Sequence, residues 1–271
     1  MPDVELKPQV YKDPRPKEFF DPFHARVRDH EPEPVYEFVR TVTLLWALIG
    51  FRARAFGTEK VPNGPVILAP NHASFMDHFF TGVFLRRRVQ FMGKSQMFGS
   101  GPLSWIYTHG GVFPVRRGHH DEEAFTSAFE ILKRGGAVVM YCEGGRSRTG
   151  GLAETARPGI GRLALEAGVP VVPVAILGSY QVRNWKRLQF PKVTIQFGEP
   201  LRFERIEHPD REQQQAAADE IFGRIKTLHA DLAALGHRGA QRAARERGRA
   251  RRSRSLPPAP GRARRSRSRA S

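Results

Sequence analysis

The segment APNHASFMDHFF, Ala69 to Phe80, follows a short apolar run and sets a histidine and a carboxylate five residues apart, His72 and Asp77. Inside one helix these side chains would point about 140° apart, so they meet only across a loop–helix junction. Ser74 to Asp77 reads as a helix start with Ser74 as the cap and Asp77 in the first turn, which supplies such a junction. There the carboxylate can bond one ring nitrogen and leave the other free to take a proton, the logic of a general base with its orienting group. A plainer reading fits the segment equally well. In it, Asp77 only favours the positive end of a helix and His72 is an ordinary loop residue.

Three further segments carry polar groups after apolar runs. GVFPVRRG, from Gly111, ends in Arg116 and Arg117, which by themselves suit a solvated strand end. YCEGGRSRTG, Tyr141 to Gly150, is a glycine-rich loop holding Glu143, Arg146 and Arg148. Glycines let a backbone approach a ligand closely, and guanidinium groups match phosphate oxygens two at a time. It is not a Walker loop, because no Gly-Lys-Ser/Thr follows. GVPVVPVAILGS reads as a buried strand interrupted by Pro170 and Pro173. His119-His120-Asp121 could be offered as a metal site, but adjacent histidines in a charged turn are read here as solvated.

The elements that must position these groups alternate. Strands are expected over Val66–Ala69, Val89–Met92, Gly111–Val115, Ala137–Cys142, Val171–Leu177 and Val193–Phe197. Helices are expected near Phe75–Arg87, Leu103–Thr108, Glu122–Arg134, Gly159–Ala167 and Gln213–Leu235. Such alternation, with continuous apolar runs, argues for an α/β fold in which helices flank a largely parallel sheet. Residues 1–34 hold seven prolines and many charges and read as an extended, poorly packed segment. Residues 35–57 read as a hydrophobic helix with little polar face. It suits either packing on the core or lying in a membrane interface, with Trp46 and Phe51 buried in lipid and Arg40, Arg52 and Arg54 at the headgroups. Residues 58–235 form the expected catalytic domain.

Of the net charge of +17, +12 falls in residues 236–271, which hold 13 Arg and one acid, Glu246; the other 235 residues carry +5. That Arg-rich C-terminal tail is almost free of apolar residues and is expected to be disordered. A hydrophobic fraction of 40% excludes disorder of the whole chain. The single cysteine, Cys142, excludes an internal disulfide and a Cys-based metal cage, in keeping with a reducing compartment. The opening MPDVELKPQV has no apolar run, so no secretory signal is expected. The longest uncharged apolar stretch, Thr41 to Phe51, falls short of the roughly 20 residues of a spanning helix. Monotopic attachment stays open.

Taken in order, His-x4-Asp, Gly-x5-Arg, Glu-Gly-Gly-Arg and Val-Pro-Val-Ala-Ile resemble the four motifs of the glycerolipid acyltransferase family, over roughly Val61 to Pro200. The resemblance implies that His72 deprotonates a glycerol hydroxyl and that Asp77 orients and charge-stabilises it. It implies that Arg117 contacts the acceptor's phosphate. Arg116 stands where the family often has an acid, leaving open which arginine does so. Glu143, Gly144, Gly145 and Arg146 look like the third motif. Gly145 stands where many lysophosphatidate enzymes have Thr, a form closer to glycerol-3-phosphate acyltransferases. Val169 to Ile176 looks like the fourth motif, and Lys94 sits where the family tends to have a lysine. The donor would be acyl-CoA or acyl carrier protein, with no further cofactor or metal. The acceptor would be a lysophospholipid, 1-acylglycerol 3-phosphate before glycerol 3-phosphate. The partner surface would be an anionic membrane, met peripherally or monotopically at its cytoplasmic face. A reading from another class, nucleic-acid binding through the Arg/Ser tail, accounts for none of the four motifs.

Overall fold

A computed structural model describes residues 13–117, 121–182 and 190–255, with side chains through residue 247. The His119-His120 pair lies outside the described residues. Seven strands form one sheet: β1 (Arg54–Phe56), β2 (Val66–Pro70), β3 (Gln90–Lys94), β4 (Val112–Val115), β5 (Ala137–Val139), β6 (Val171–Leu177) and β7 (Thr194–Phe197). Their order is β1-β7-β6-β2-β5-β3-β4, and all neighbours run parallel except β6 and β7. The six expected strands are present within a few residues of their expected bounds, and β1 is an addition.

Alternate residues of the central strands face two apolar layers, as a sheet covered on both sides requires. On one side Val66 and Leu68 of β2 pack with Tyr36 and Ala47 of α2 (Pro34–Gly50) and Phe80 of α3 (Asp77–Gly82). On the other, Ile67 and Ala69 pack with Ile131 of α5 (Glu122–Lys133), Ile160 of α6 (Pro158–Ala167) and Ile221 of α7 (Arg211–Ser255). Two strand prolines fit without loss. Pro114 lies on edge strand β4. Pro173 turns its missing N–H away from β2, since its carbonyl accepts the Gly198 N–H at 2.8 Å on the opposite side.

Several expectations are corrected. Residues 17–20 form a 3-10 turn and Asp21–Asp29 form α1, where an extended segment was expected. Pro22 suits a helix start. Phe20 and Val27 are buried, and His24 Nδ1 lies 2.9 Å from Ser127 Oγ on α5. The hydrophobic helix stops at Gly50 because Arg52 adopts a left-handed φ of 46° and turns the chain into β1. Phe51 is therefore fully buried in the protein core, edge-on to the half-buried Trp46 at 4.3 Å, and is not offered to lipid as expected. Arg40 is also turned inward, donating to the Leu85 carbonyl at 2.7 Å and pairing with Glu37. The outer face of α2 is nevertheless apolar: Phe38, Val42, Leu45 and Ile49 recur at helical spacing and are exposed, Ile49 at 79%. Among the described residues no helix is long and apolar enough to cross a membrane.

The helix expected over Phe75–Arg87 is confined to α3, because Phe75 and Met76 belong to the turn that precedes it. Past Gly236 the chain is helical to Ser255, where disorder was expected, with a sharp break at Gly236 itself. Ala, Arg, Gln and Glu are good helix formers. Ala240 is buried, and His237 Nδ1 pairs with Thr194 Oγ1 at 2.9 Å. Residues 256–271 of the expected tail lie outside the described residues.

The tightest crossing is that of α6 on α7. A Cβ built on Gly161 would lie 1.9 Å from the Gln214 carbonyl oxygen. Gly161→Ala is expected to force the helices apart and to cost about 1–3 kcal/mol of stability, read from denaturant unfolding. A variant as stable as the parent would show that the two helices separate freely.

Candidate active site

The segments singled out in the sequence converge on the carboxyl edge of the parallel strands, where α/β sheets bind ligands. His72 follows β2, Lys94 ends β3, Arg116 and Arg117 follow β4, and Glu143 to Arg146 follow β5.

Asp77 is fully buried, and its Oδ2 lies 3.0 Å from His72 Nδ1. The same oxygen accepts the backbone N–H groups of Ala73 and Ser74, each at 2.7 Å, while Ser74 Oγ accepts from Met76 N–H at 3.2 Å. Asp77 thus reaches back to the Ser74 N–H as expected, but Ser74 is not the cap: its Oγ closes a local turn with Met76, and the regular helix begins only at Asp77. A carboxylate can only accept here, so Nδ1 carries the ring proton and Nε2 keeps its lone pair. Burial lowers the basicity of His72 below its ordinary value of 6.5. The bond and charge of Asp77 oppose this, and Arg117 and Arg146 add to it.

The loop bearing His72 is tied down from both sides. Asn71 exchanges two bonds with Ile176 of β6, its Nδ2 donating at 3.1 Å and its Oδ1 accepting at 2.7 Å. The His72 N–H donates to Glu143 Oε1 at 2.9 Å, and its carbonyl accepts the Ser147 N–H at 2.7 Å. Glu143 therefore faces the histidine's backbone. Burial, only partly offset by N–H donors at His72 and Ala153, pushes its carboxyl up to about 7. Gly144 adopts φ +64°, and a Cβ there would lie 2.9 Å from Arg157 Cγ, so the turn demands glycine. Gly145 continues that turn, and Arg146 is exposed beyond it.

The two neighbouring arginines part ways. Arg116 leans toward the 3-10 turn before α1, 6.0 Å over the Phe20 ring, and its backbone N–H bonds Asp121 at 2.6 Å. Arg117 lies near enough to both His72 and His78 to disfavour a charge on either. Lys94 makes no hydrogen bond or ion pair among the described residues.

Sequence reasoning missed three features. Asn71 was quoted but given no part. Tyr141, buried, stacks on His72 with centroids 3.9 Å apart and planes at 23°; its ring type was the available signal. The third is a cleft of about 750 Å³, including its open mouth, between α2, α3 and α4 (Pro102–His109). Its walls are almost wholly apolar: Tyr36, Val39 and Thr43 of α2 face inward, opposite the exposed stripe, and meet Phe75, Phe79 and Ile106. No sequence pattern could outline it, because its walls come from separate elements. Among the described residues no cluster of His, Cys, Asp and Glu is arranged to hold a metal ion.

Comparison with known proteins agrees with this arrangement. A family described as Acyltransferase matches residues 52–177, from the turn before β1 through β6. The chloroplastic 1-acyl-sn-glycerol-3-phosphate acyltransferase BAT2 of Brassica napus is 28% identical over 154 residues, 54% of this chain and 44% of its own. A lyso-ornithine lipid O-acyltransferase of Pseudomonas aeruginosa is 29% identical over 205 residues, 66% of this chain and 76% of its own. The crystal structure of the 1-acyl-sn-glycerophosphate acyltransferase PlsC from Thermotoga maritima matches with a TM-score of 0.52 at 22% identity. It covers 78% of this chain and 89% of its own, a likeness of fold. Fold and motif order together define an acyltransferase-domain protein. Over residues 52–177 the chain carries an acyltransferase domain, and it resembles the glycerolipid acyltransferases. It spans less than half the length of its chloroplast relative.

Glu143 sets a pH dependence of stability. Its folded-state value of about 7 stands above the ordinary 4.5, so the protonated form is favoured by folding. That contribution is complete below pH 4.5 and is lost as the pH rises through 7. In Glu143→Gln, which cannot ionise, this part of the decline is expected to vanish, measured by chemical unfolding across that range. An unchanged slope would show that another group is responsible.

Proposed function

We propose that the protein transfers a fatty acyl group from acyl-CoA or acyl carrier protein to the hydroxyl of a phosphate-bearing glycerolipid, 1-acyl-sn-glycerol 3-phosphate first among them. The observation that carries this reading is the buried His72–Asp77 pair, 3.0 Å apart, with Arg117 close to the imidazole. His72 Nε2 takes the proton of the acceptor hydroxyl as that oxygen attacks the thioester carbonyl carbon. The C–S bond then breaks and the departing thiolate receives the proton back. A thioester is already activated, so the step requires neither a metal nor a covalent enzyme intermediate. Asp77 holds the tautomer and offsets the imidazolium charge as it forms.

Arg117 is assigned the acceptor's phosphate, with Arg146 at the mouth, and their charge supplies the binding energy that positions the hydroxyl. Arg116 is given no direct contact with substrate. The apolar cleft between α2, α3 and α4 is the place for an acyl chain. Glycerol 3-phosphate is the second reading for the acceptor, favoured by Gly145. Purified protein assayed with acyl-CoA and each acceptor is expected to prefer the lysophospholipid, and a preference for the water-soluble acceptor would reverse the choice. His72→Ala is expected to lose roughly 10²–10⁴-fold in turnover with little change in stability. The acid limb of the wild-type rate profile should fall below pH 6.5, where burial sets the histidine. Substantial residual turnover in His72→Ala would remove it as the base.

A substrate dissolved in lipid places the enzyme on a membrane, and the surface offered is the stripe of Phe38, Val42, Leu45 and Ile49, flanked by the exposed Arg52 and Arg54. The side of attachment is taken as cytoplasmic. Replacing Leu45 and Ile49 together by Glu is expected to abolish cosedimentation with anionic phospholipid vesicles while the folded domain survives. Undiminished sedimentation would place the lipid contact elsewhere.

A further inference from the structure

One group lining the cleft has no part in the reaction as described. His78 follows Asp77 directly and lines the cleft beside the base, its ring 5.3 Å from the His72 ring at 81°. Its Nδ1 lies 3.1 Å from the carbonyl oxygen of Phe75. A carbonyl accepts and cannot donate, so Nδ1 carries the proton. Burial foremost, with His72 adjacent, lowers the group to about 4, and the ring is neutral wherever a fatty acyl transfer would be run. The other nitrogen is then an acceptor without a protein donor: the bond to Phe75 is the only one the His78 ring makes among the described residues.

The ring is not free to turn that nitrogen elsewhere. Tyr141 packs on it at 4.9 Å, Phe91 at 5.7 Å and Phe75 at 5.9 Å. The remaining surface of the residue opens on the cleft. The ring is only partly buried, so Nε2 meets the solvent of the open cleft, and an arriving hydroxyl would take the place of water there.

We propose that Nε2 of His78 accepts a hydrogen bond from a substrate hydroxyl other than the one being acylated, which makes His78 a specificity-determining residue of the cleft. This rests on the reading of the cleft as the substrate's seat. The ring lies next to His72, so the hydroxyl stands only a few bonds from the reacting centre. Two positions meet that requirement: a hydroxyl near the carbonyl end of the acyl chain, and, with glycerol 3-phosphate as acceptor, its second hydroxyl, which 1-acyl-sn-glycerol 3-phosphate lacks.

The test compares wild-type protein with His78→Phe, which keeps a ring of similar size, and His78→Gln, which restores an acceptor oxygen. In one arm kcat/KM is measured for 3-hydroxyacyl-CoA against the plain acyl-CoA of equal length, with lysophosphatidate as acceptor. In the other, glycerol 3-phosphate is compared with its two monodeoxy analogues, using the plain acyl-CoA. The wild-type protein is expected to favour the extra hydroxyl in one arm. In His78→Phe that preference should shrink about tenfold and return in part in His78→Gln. The arm in which it moves identifies the source. If His78→Phe, shown to be folded by its unfolding transition, leaves the ratios of both arms as in the wild type, the proposal is wrong. Absence of acyl transfer by the wild-type protein in every combination is a different failure: it overturns the acyltransferase reading and this proposal with it.

Discussion

A single buried carboxylate oxygen organises the site. Asp77 Oδ2 gathers the ring N–H of His72 and two successive backbone N–H groups within 3.0 Å. Burial of an ionised carboxylate is prohibitive without such donors, so the loop has to close around Asp77 for the chain to fold here at all. Closing it sets the histidine's tautomer. Folding and readiness for proton transfer are thereby satisfied by the same bonds.

Around that oxygen, the ties reach two strands. Asn71 anchors the loop to β6, Glu143 and Ser147 anchor it to the segment after β5, and Tyr141 braces the ring itself. These ties exist because β2 lies between β5 and β6. The raised Glu143 carboxyl is a cost of that arrangement, since one acid is drawn inward to hold a backbone N–H while the arginines remain outside.

Helix α2 works on two surfaces at once. Its inner residues wall an apolar cleft, while Phe38, Val42, Leu45 and Ile49 project outward. The choice between a core helix and an interface helix dissolves, because the inner face packs on the domain and the outer face is left without protein cover. One helix separates the cleft from the apolar surface outside it.

Much of this was legible from residue order. The strand and helix alternation, the His72–Asp77 meeting and the glycine turn at Gly144 are local: each depends on residues a few positions apart, and the backbone has few ways to satisfy them. The errors were local rules overruled by packing. Phe51 is apolar, and composition cannot say whether lipid or protein will cover it. Residues 13–34 are rich in proline and charge, yet Phe20 and Val27 find a site on the domain. The Ala/Arg stretch past Gly236 has helix-forming residues that its charge count concealed. What only the tertiary structure decided is the insertion of β5 between β2 and β3. Strand order depends on which apolar faces pair across long separations, and no spacing along the chain records it. That insertion brings Glu143 to the His72 backbone.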